Sequence, residues 1–431
     1  MEKDPNSRGD LLKLTVPLII GSLLEPIASV IDNAFVGNIR TEWLGALAFG
    51  TMILSSVAWV FNFIIHVTTE SISKVFGQGS QKDVVGLTQV SLLIALIIGL
   101  LSAALMYFFH QSLFSLIGVS AELQTITESY FFTRLLGHPF TVLFLSCLSL
   151  LRGTSKIKAS MLILLFSTVL NSGLNYLFLF KLGLGPEYAA WGTNIAMLFG
   201  FVLALSIHFH SIGIKNILNA RSFDVVDFVQ FSSKSLNLFI RSFCLTTMFF
   251  LSTRIAGSLG VVDLAAHQIL LQFWLFSSFF IDGVAIVANI FVSRWINLGE
   301  TKKLRWAVRE CFYQGGFFGL MFTAVYYTYD LWLWDKFTKD KVVLDLLSKL
   351  WPLIVWSQLL NALAFIVDGV LFGAGAYTFL RNMMLFILIF IFLPFAYCAT
   401  AFSDLTYLWG GLIVVSAARL LIGAYRVNKI T

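Results

Sequence analysis

Residues 92–109 read Leu-Leu-Ile-Ala-Leu-Ile-Ile-Gly-Leu-Leu-Ser-Ala-Ala-Leu-Met-Tyr-Phe-Phe, without a single charged side chain. An apolar run of roughly 18 residues or more, rising ~1.5 Å per residue, is long enough to cross a hydrocarbon core as a helix. Residues 385–399 have the same texture. Neither run alternates apolar and polar residues as the strands of a membrane β-barrel do. Working outward, 58% of the 431 residues are hydrophobic and 12% are charged. Soluble domains carry about 25% charge, and no compact shape has enough interior to hide this much apolar surface. Disordered chains are poor in aromatics, whereas 43 residues here are Phe. The fold class is therefore an all-α polytopic membrane protein.

Twelve spans are predicted, over 11–38, 43–68, 84–109, 122–151, 157–181, 188–212, 234–258, 263–291, 304–329, 344–372, 377–402 and 405–425. Glu122, Glu128 and Arg134 dilute the fourth. Positive charge sets orientation. With the N-terminus inside, twenty of the 29 Lys and Arg residues fall on the inner side and seven on the outer; Arg134 and Arg241 lie within spans. Both termini are then cytoplasmic, and the net charge of +6 anchors the inner leaflet. The basic residues sit in separate short loops, so no nucleic-acid partner is expected. The first apolar run lacks a small-residue cleavage site and reads as a retained helix.

The chain repeats at an offset of 220 residues. Gly37 meets Gly257, Ala46 meets Ala266, Ser73 meets Ser293, Gly79 meets Gly299 and Gly153 meets Gly373. The predicted organisation is an N-terminal six-helix lobe over 1–212, a cytoplasmic connection over 213–233 and a C-terminal six-helix lobe over 234–431. Phe223, Val226 and Val229 suggest a short interfacial helix in the connection. Parallel repeats of this kind are typical of secondary transporters. No phosphate loop, metal-ligand spacing or nucleophile with its base is present in the sequence, so neither an enzyme nor a cofactor is expected. Cys147, Cys244, Cys311 and Cys398 read as core residues.

Charge inside a membrane calls for a partner or a function. Asp32 and Glu25 fall in the first span, seven residues apart and hence on one helical face. Depth reckoning puts Asn171 and Asn175 of the fifth span, and Thr193 and Asn194 of the sixth, level with Asp32. Carboxylate, amide and hydroxyl oxygens at one level suit a proton relay or a small hard-cation site, with sodium at Asp32, Asn171, Asn175 and Thr193. Simple interhelical hydrogen bonding is the other reading. Matching depths also predict an Arg241–Asp282 ion pair. His267 reads as a packing residue, and His66 and Glu70 as interface groups. Gly315-Gly316-Phe317-Phe318-Gly319 contains the GxxxG close-packing pattern.

Several segments resemble the multidrug and toxic compound extrusion (MATE) transporters, specifically the DinF-like subfamily. They are Val16-Pro17-Leu18, Ile31-Asp32-Asn33-Ala34-Phe35-Val36-Gly37, Leu44-Gly45-Ala46-Leu47-Ala48, Leu151-Arg152-Gly153, Ala265-Ala266-His267-Gln268 and Ile281-Asp282-Gly283. The resemblance implies two six-helix lobes around a cavity, working by alternating access. It implies antiport of amphipathic or cationic small molecules against protons or sodium ions. It makes Asp32 the cation-responsive carboxylate and Pro17 the site where the first helix bends, and it puts Asn171 and Thr193 in the cavity. Two departures stand out: Asn175 where many relatives carry a second carboxylate, and Glu25 where some carry glutamine. Protons are therefore the favoured ion. A monomer in the plasma membrane, the inner membrane in a bacterium, is expected. A lipid or lipid-linked precursor flippase, or an organic-acid exporter, is the alternative.

Overall fold

The computed structural model describes residues 5, 7–37, 41–117, 119, 121–213, 224–334 and 337–431; the side chains of residues 25, 28–37, 41, 42, 44–46, 48, 121 and 331 lie outside that description. Helices dominate, because hydrocarbon offers backbone N–H and C=O groups no partner and a helix pairs them within the segment. In the first half they are α1 (Arg8–Gly37), α2 (Thr41–Phe61), α3 (Phe63–Gly77), α4 (Gln81–Ile117), α5 (Ala121–Gly153), α6 (Ile157–Asn175) and α7 (Glu187–Ile212). In the second they are α8 (Val225–Leu259), α9 (Val261–Asn297), α10 (Thr301–Thr328), the short α11 (Asp330–Trp334), α12 (Lys341–Gly373), α13 (Tyr377–Ile387), α14 (Leu393–Ala401) and α15 (Leu405–Ile430). Wider π turns continue α6 over Tyr176–Lys181 and join α13 to α14 over Leu388–Phe392.

Each of the twelve predicted spans falls on helix. Among the described residues, ten helical stretches are long and apolar enough to cross a membrane. The remaining two spans correspond to α1 and α10. Two details differ from the sequence reading. The second span breaks at Asn62, between α2 and α3. The connection holds no separate interfacial helix among its described residues: Val226 and Val229 lie in the first turns of α8, which runs unbroken for 35 residues. Phe223 is outside the described residues. No Gly or Pro lies between Asp224 and Leu259 except Gly257, so nothing in the sequence interrupts that helix.

The 220-residue offset is written into the backbone. Helix starts at Thr41, Gln81, Ala121 and Ile157 recur at Val261, Thr301, Lys341 and Tyr377. Left-handed residues recur too: Gly79 with Gly299, Ser155 with Gly375, and Gly183 with Ser403. The closest helix contacts obey the same rule. A Cβ on Gly153 of α5 would meet Ile72 at 2.8 Å and the Thr69 carbonyl at 3.2 Å. A Cβ on Gly373 of α12 would meet Val292 at 2.9 Å and the Asn289 carbonyl at 2.7 Å. Lipid is as apolar as a leucine, so such close backbone approach, rather than hydrophobic burial, drives association of membrane helices.

By contact the chain forms two compact units, and their limits differ from the predicted 1–212 and 234–431. One contains Leu23–Ser235; the other contains Pro5–Ser22 together with Leu236–Thr431. Helices α1 and α8 are therefore each divided between the units. Within the first, α5 is central and packs on α2, α3, α4 and α7. Its core joins Phe144, Cys147, Leu148 and Leu151 with Ile163 and Ala204. Within the second, α12 packs on α9, α10 and α15. Here Gly283 lies on the backbone of Ile19, 2.6 Å from where its Cβ would be, which seats the N-terminal part of α1.

Gly373→Val would place methyl groups against the Asn289 carbonyl and lower stability by about 1–3 kcal/mol, as overpacking does. Gly316→Ala, with nothing within 4 Å, should leave stability unchanged or raised. Thermal melting of the two purified variants in detergent checks the contrast.

Candidate functional site

The polar level predicted in the first half is partly assembled. Asn171 of α6 is 4% exposed. Its Nδ2 donates to Thr193 Oγ1 of α7 at 2.9 Å, and the Thr193 hydroxyl donates onward to the Ala189 carbonyl at 3.1 Å. Asn175, one turn beyond Asn171, is 1% exposed. Its Oδ1 occupies the space in which a Cβ on Gly192 would sit, at 2.3 Å, so α7 admits the amide only because residue 192 has no side chain. The π turn begins at the next residue, Tyr176. Widened turns of this type often accompany functional positions in helices.

Asn194 does not join that level. Adjacent residues on a helix point about 100° apart. The Asn194 amide faces α5, where its Oδ1 accepts from Arg134 Nη1 at 2.7 Å and its Nδ2 donates to the Thr133 carbonyl at 2.6 Å. Gly137 makes room for it. One turn from Arg134, His138 Nε2 pairs with the Ser102 hydroxyl at 2.9 Å. Asp32 and Glu25 lie on α1, and their side chains are outside the described residues. An open groove of about 510 Å³ runs beside α1 and α6. Leu24, Ile27, Leu165, Val169 and Tyr176 make it apolar; Thr168 and Ser172 supply its hydroxyls.

The second unit departs from the predicted pairing. Arg241 of α8 hydrogen-bonds Asp368 of α12, not Asp282. Asp282 is near enough for its charge to act on Arg241. Arg419 of α15 donates to the same Asp368 oxygen at 2.7 Å. All three side chains are at most 11% exposed. Each guanidinium also covers an aromatic ring, Arg241 that of Phe372 and Arg419 that of Phe365. Sequence depth missed Asp368, because Asp282 alone was matched to Arg241. Arg419, one of the twenty basic residues that the charge count puts on the inner side, is 1% exposed and belongs to this cluster. The buried pairs Ser277–Gln358 and Ser278–Asn361 also tie α9 to α12.

His267 is fully buried, 3.3 Å from the Thr253 hydroxyl and packed on Trp409. Gly315 and Gly319 of the GxxxG pattern both face α12, against Ile366 and Leu359. His66 and Glu70 are buried within the protein. Lys234 Nζ lies 2.7 Å from Glu70 Oε2.

A family model described as MatE matches residues 17–177 and, a second time, residues 238–398. The chain belongs to the MatE family. Two matches of equal length are the family's own statement of the internal repeat. Relatives span nearly the whole chain. Protein DETOXIFICATION 44, chloroplastic, of Arabidopsis thaliana is 26% identical over 98% of this chain and 82% of its own length. A probable multidrug resistance protein NorM of Mannheimia succiniciproducens is 22% identical over 97% of this chain and 93% of its own. Among solved structures, a crystal structure of MATE in the bent conformation aligns with a TM-score of 0.88. It is 19% identical, covering 98% of this chain and 96% of that one, and shows the shared fold. MatE proteins are transporters, so this chain is a multi-pass membrane transporter of small molecules and not an enzyme.

Removing Asp368 would leave two buried guanidinium groups facing each other. Loss of one partner from a buried pair destabilises by ~3–5 kcal/mol. Asp368→Ala should therefore melt far below the parent. Asp368→Asn combined with Arg419→Met should recover much of the loss in the same thermal assay.

Proposed function

We propose that the protein is a DinF-like secondary antiporter. It exports amphipathic, often cationic, organic compounds in exchange for protons, by alternating access between two lobes. The carrying observation is the polar set of the first unit: Asn171 and Asn175 of α6 are buried, and Asn171 donates to the half-buried Thr193 of α7, while another face of α6 lines the groove with α1. Asp32 is the carboxylate that titrates there, with Glu25 on the same helical face. Protonating Asp32 removes its charge, lets α1 bend at Pro17 and lowers substrate affinity. Substrate and proton thus compete for one lobe.

Two features support this reading. The groove is of drug size and nearly all apolar, and pockets of ~300–1,000 Å³ are usual for small-molecule sites. The Thr193 hydroxyl already accepts one hydrogen bond and donates another. A hydroxyl has one proton and two lone pairs, so half its acceptor capacity is spent before any sodium ion arrives. Protons are favoured for that reason. An anionic cargo is less favoured, since Arg241 and Arg419 both engage Asp368 and Arg134 donates to Asn194. The excess of Lys and Arg on one side supports an orientation with both termini inside, and the plasma membrane is the location we propose.

Proteoliposomes with an imposed proton or sodium gradient and a panel of cationic dyes test the proposal. Asp32→Asn should reduce gradient-driven efflux at least about tenfold while leaving the protein folded, as loss of a coupling charge would. Normal proton-driven export by that variant would refute the mechanism. Export driven by sodium alone would reassign the ion.

A further inference from the structure

Each of the two divided helices has its inner end fixed to a buried glutamate. On α8, Lys234 Nζ donates to Glu70 Oε2 at 2.7 Å and to the Ser71 hydroxyl at 3.3 Å. Ser71 in turn donates to Glu70 at 3.1 Å. The Glu70 side chain is 5% exposed and that of Lys234 28%. On α1, Arg8 Nε lies 2.7 Å from Glu310 Oε2 of α10, and its guanidinium covers the Tyr313 ring. Two turns along α1, Thr15 donates to Gln314 at 2.9 Å. Glu310, Tyr313 and Gln314 are spaced i, i+3, i+4 and so share one face of α10. The Glu310 side chain is 4% exposed, while that of Arg8 is 68% exposed.

The internal repeat shows what these charges are not for. At the 220-residue offset Glu70 corresponds to Ile290, Lys234 to Leu14, Glu310 to Val90 and Arg8 to Phe228. Ile290, Leu14 and Val90 are all buried apolar residues. The same positions in the same fold are thus filled by hydrocarbon in the other half, so packing does not require a charge there. A buried carboxylate is a less economical filler than a leucine unless the interaction is meant to part, because an ion pair with a wet cation can be exchanged for water. The asymmetry of exposure fits: in both pairs the cation reaches solvent and the carboxylate does not.

We infer that Glu70–Lys234 and Glu310–Arg8 are two releasable latches. The four residues position the inner ends of α8 and α1 in one phase of the transport cycle, and the pairs part in the other. The inference rests on alternating access, but not on which compound or ion is carried. The units exchange the inner ends of their first helices at Ser22–Leu23 and Ser235–Leu236. A change of access must then bend both helices at those points or free their ends. The continuous α8, without Gly or Pro near Ser235, is the harder to bend.

The test locks one latch. In a background with the four cysteines replaced by alanine, Glu70→Cys and Lys234→Cys are joined by a short reducible bis-methanethiosulfonate. Ethidium efflux is then measured in proteoliposomes. The expected result is retained ethidium binding with transport reduced at least about tenfold, restored by dithiothreitol, as for a blocked conformational step. Full transport by the cross-linked protein overturns the inference. A second arm needs no substrate. By hydrogen exchange, Glu70→Gln should speed the amides of residues 225–235 about tenfold or more over the parent, as freeing a helix end does. Unchanged exchange there also overturns it. If ethidium is not carried, the cross-link arm uses another dye of the panel; if no dye is carried, the antiporter reading fails, and unchanged exchange in Glu70→Gln would still overturn the latch.

Discussion

Hydrocarbon supplies no hydrogen-bond donor, acceptor or counter-ion, and the rest of the molecule follows from that constraint. Backbone groups are paired inside helices, so loops fall at helix ends, where Gly79, Gly183 and Gly299 turn the chain with positive φ. Helices cannot gain by leaving lipid for each other through apolar area, so they gain by approach. Gly153, Gly373, Gly315, Gly319 and Gly283 bring backbones together where a Cβ would collide. Polar side chains must then find one another, which is why Asn171 meets Thr193 and why Asp368 gathers two arginines.

The scaffold repeats, but the chemistry on it does not. Helix starts, left-handed turns and the Gly153 and Gly373 contacts recur at one offset. The polar level of the first unit has no counterpart: Asn171, Asn175 and Thr193 correspond to Ile391, Phe395 and Ile413. Nor does the charged cluster of the second, where Arg241, Asp368 and Arg419 correspond to Gly21, Leu148 and Phe199. Duplication provides a frame on which the two halves carry different polar groups at equivalent positions: Asn171, Asn175 and Thr193 in one, the Arg241–Asp368–Arg419 cluster in the other. The break at Asn62 also fits this division. Its equivalent is Asp282, in the unbroken helix α9, close to the arginine cluster.

Much of the architecture was legible in the chain, because spans are set by local composition. An apolar run of sufficient length must be helical whatever its neighbours do. The twelve spans accordingly fall on helix, and GxxxG located a real close approach between α10 and α12. Depth within a span also follows from counting residues. Counting rightly associated Asn171 with Thr193. It failed for Asn194, which shares the depth but points to α5, and for Arg241, which had more than one carboxylate within reach.

By itself, then, the sequence determined the membrane class, the helical spans, the repeat and the short roster of polar residues within those spans. All of these depend on residues near one another in the chain, or on a fixed offset along it. Tertiary structure alone decided which polar groups meet. Azimuth about a helix axis and the choice of neighbouring helix carry no signature in composition. Asp368 drew Arg241 and Arg419, Lys234 reached back to Glu70, and the N-terminal part of α1 settled on α10, through contacts between residues 51 to about 300 positions apart.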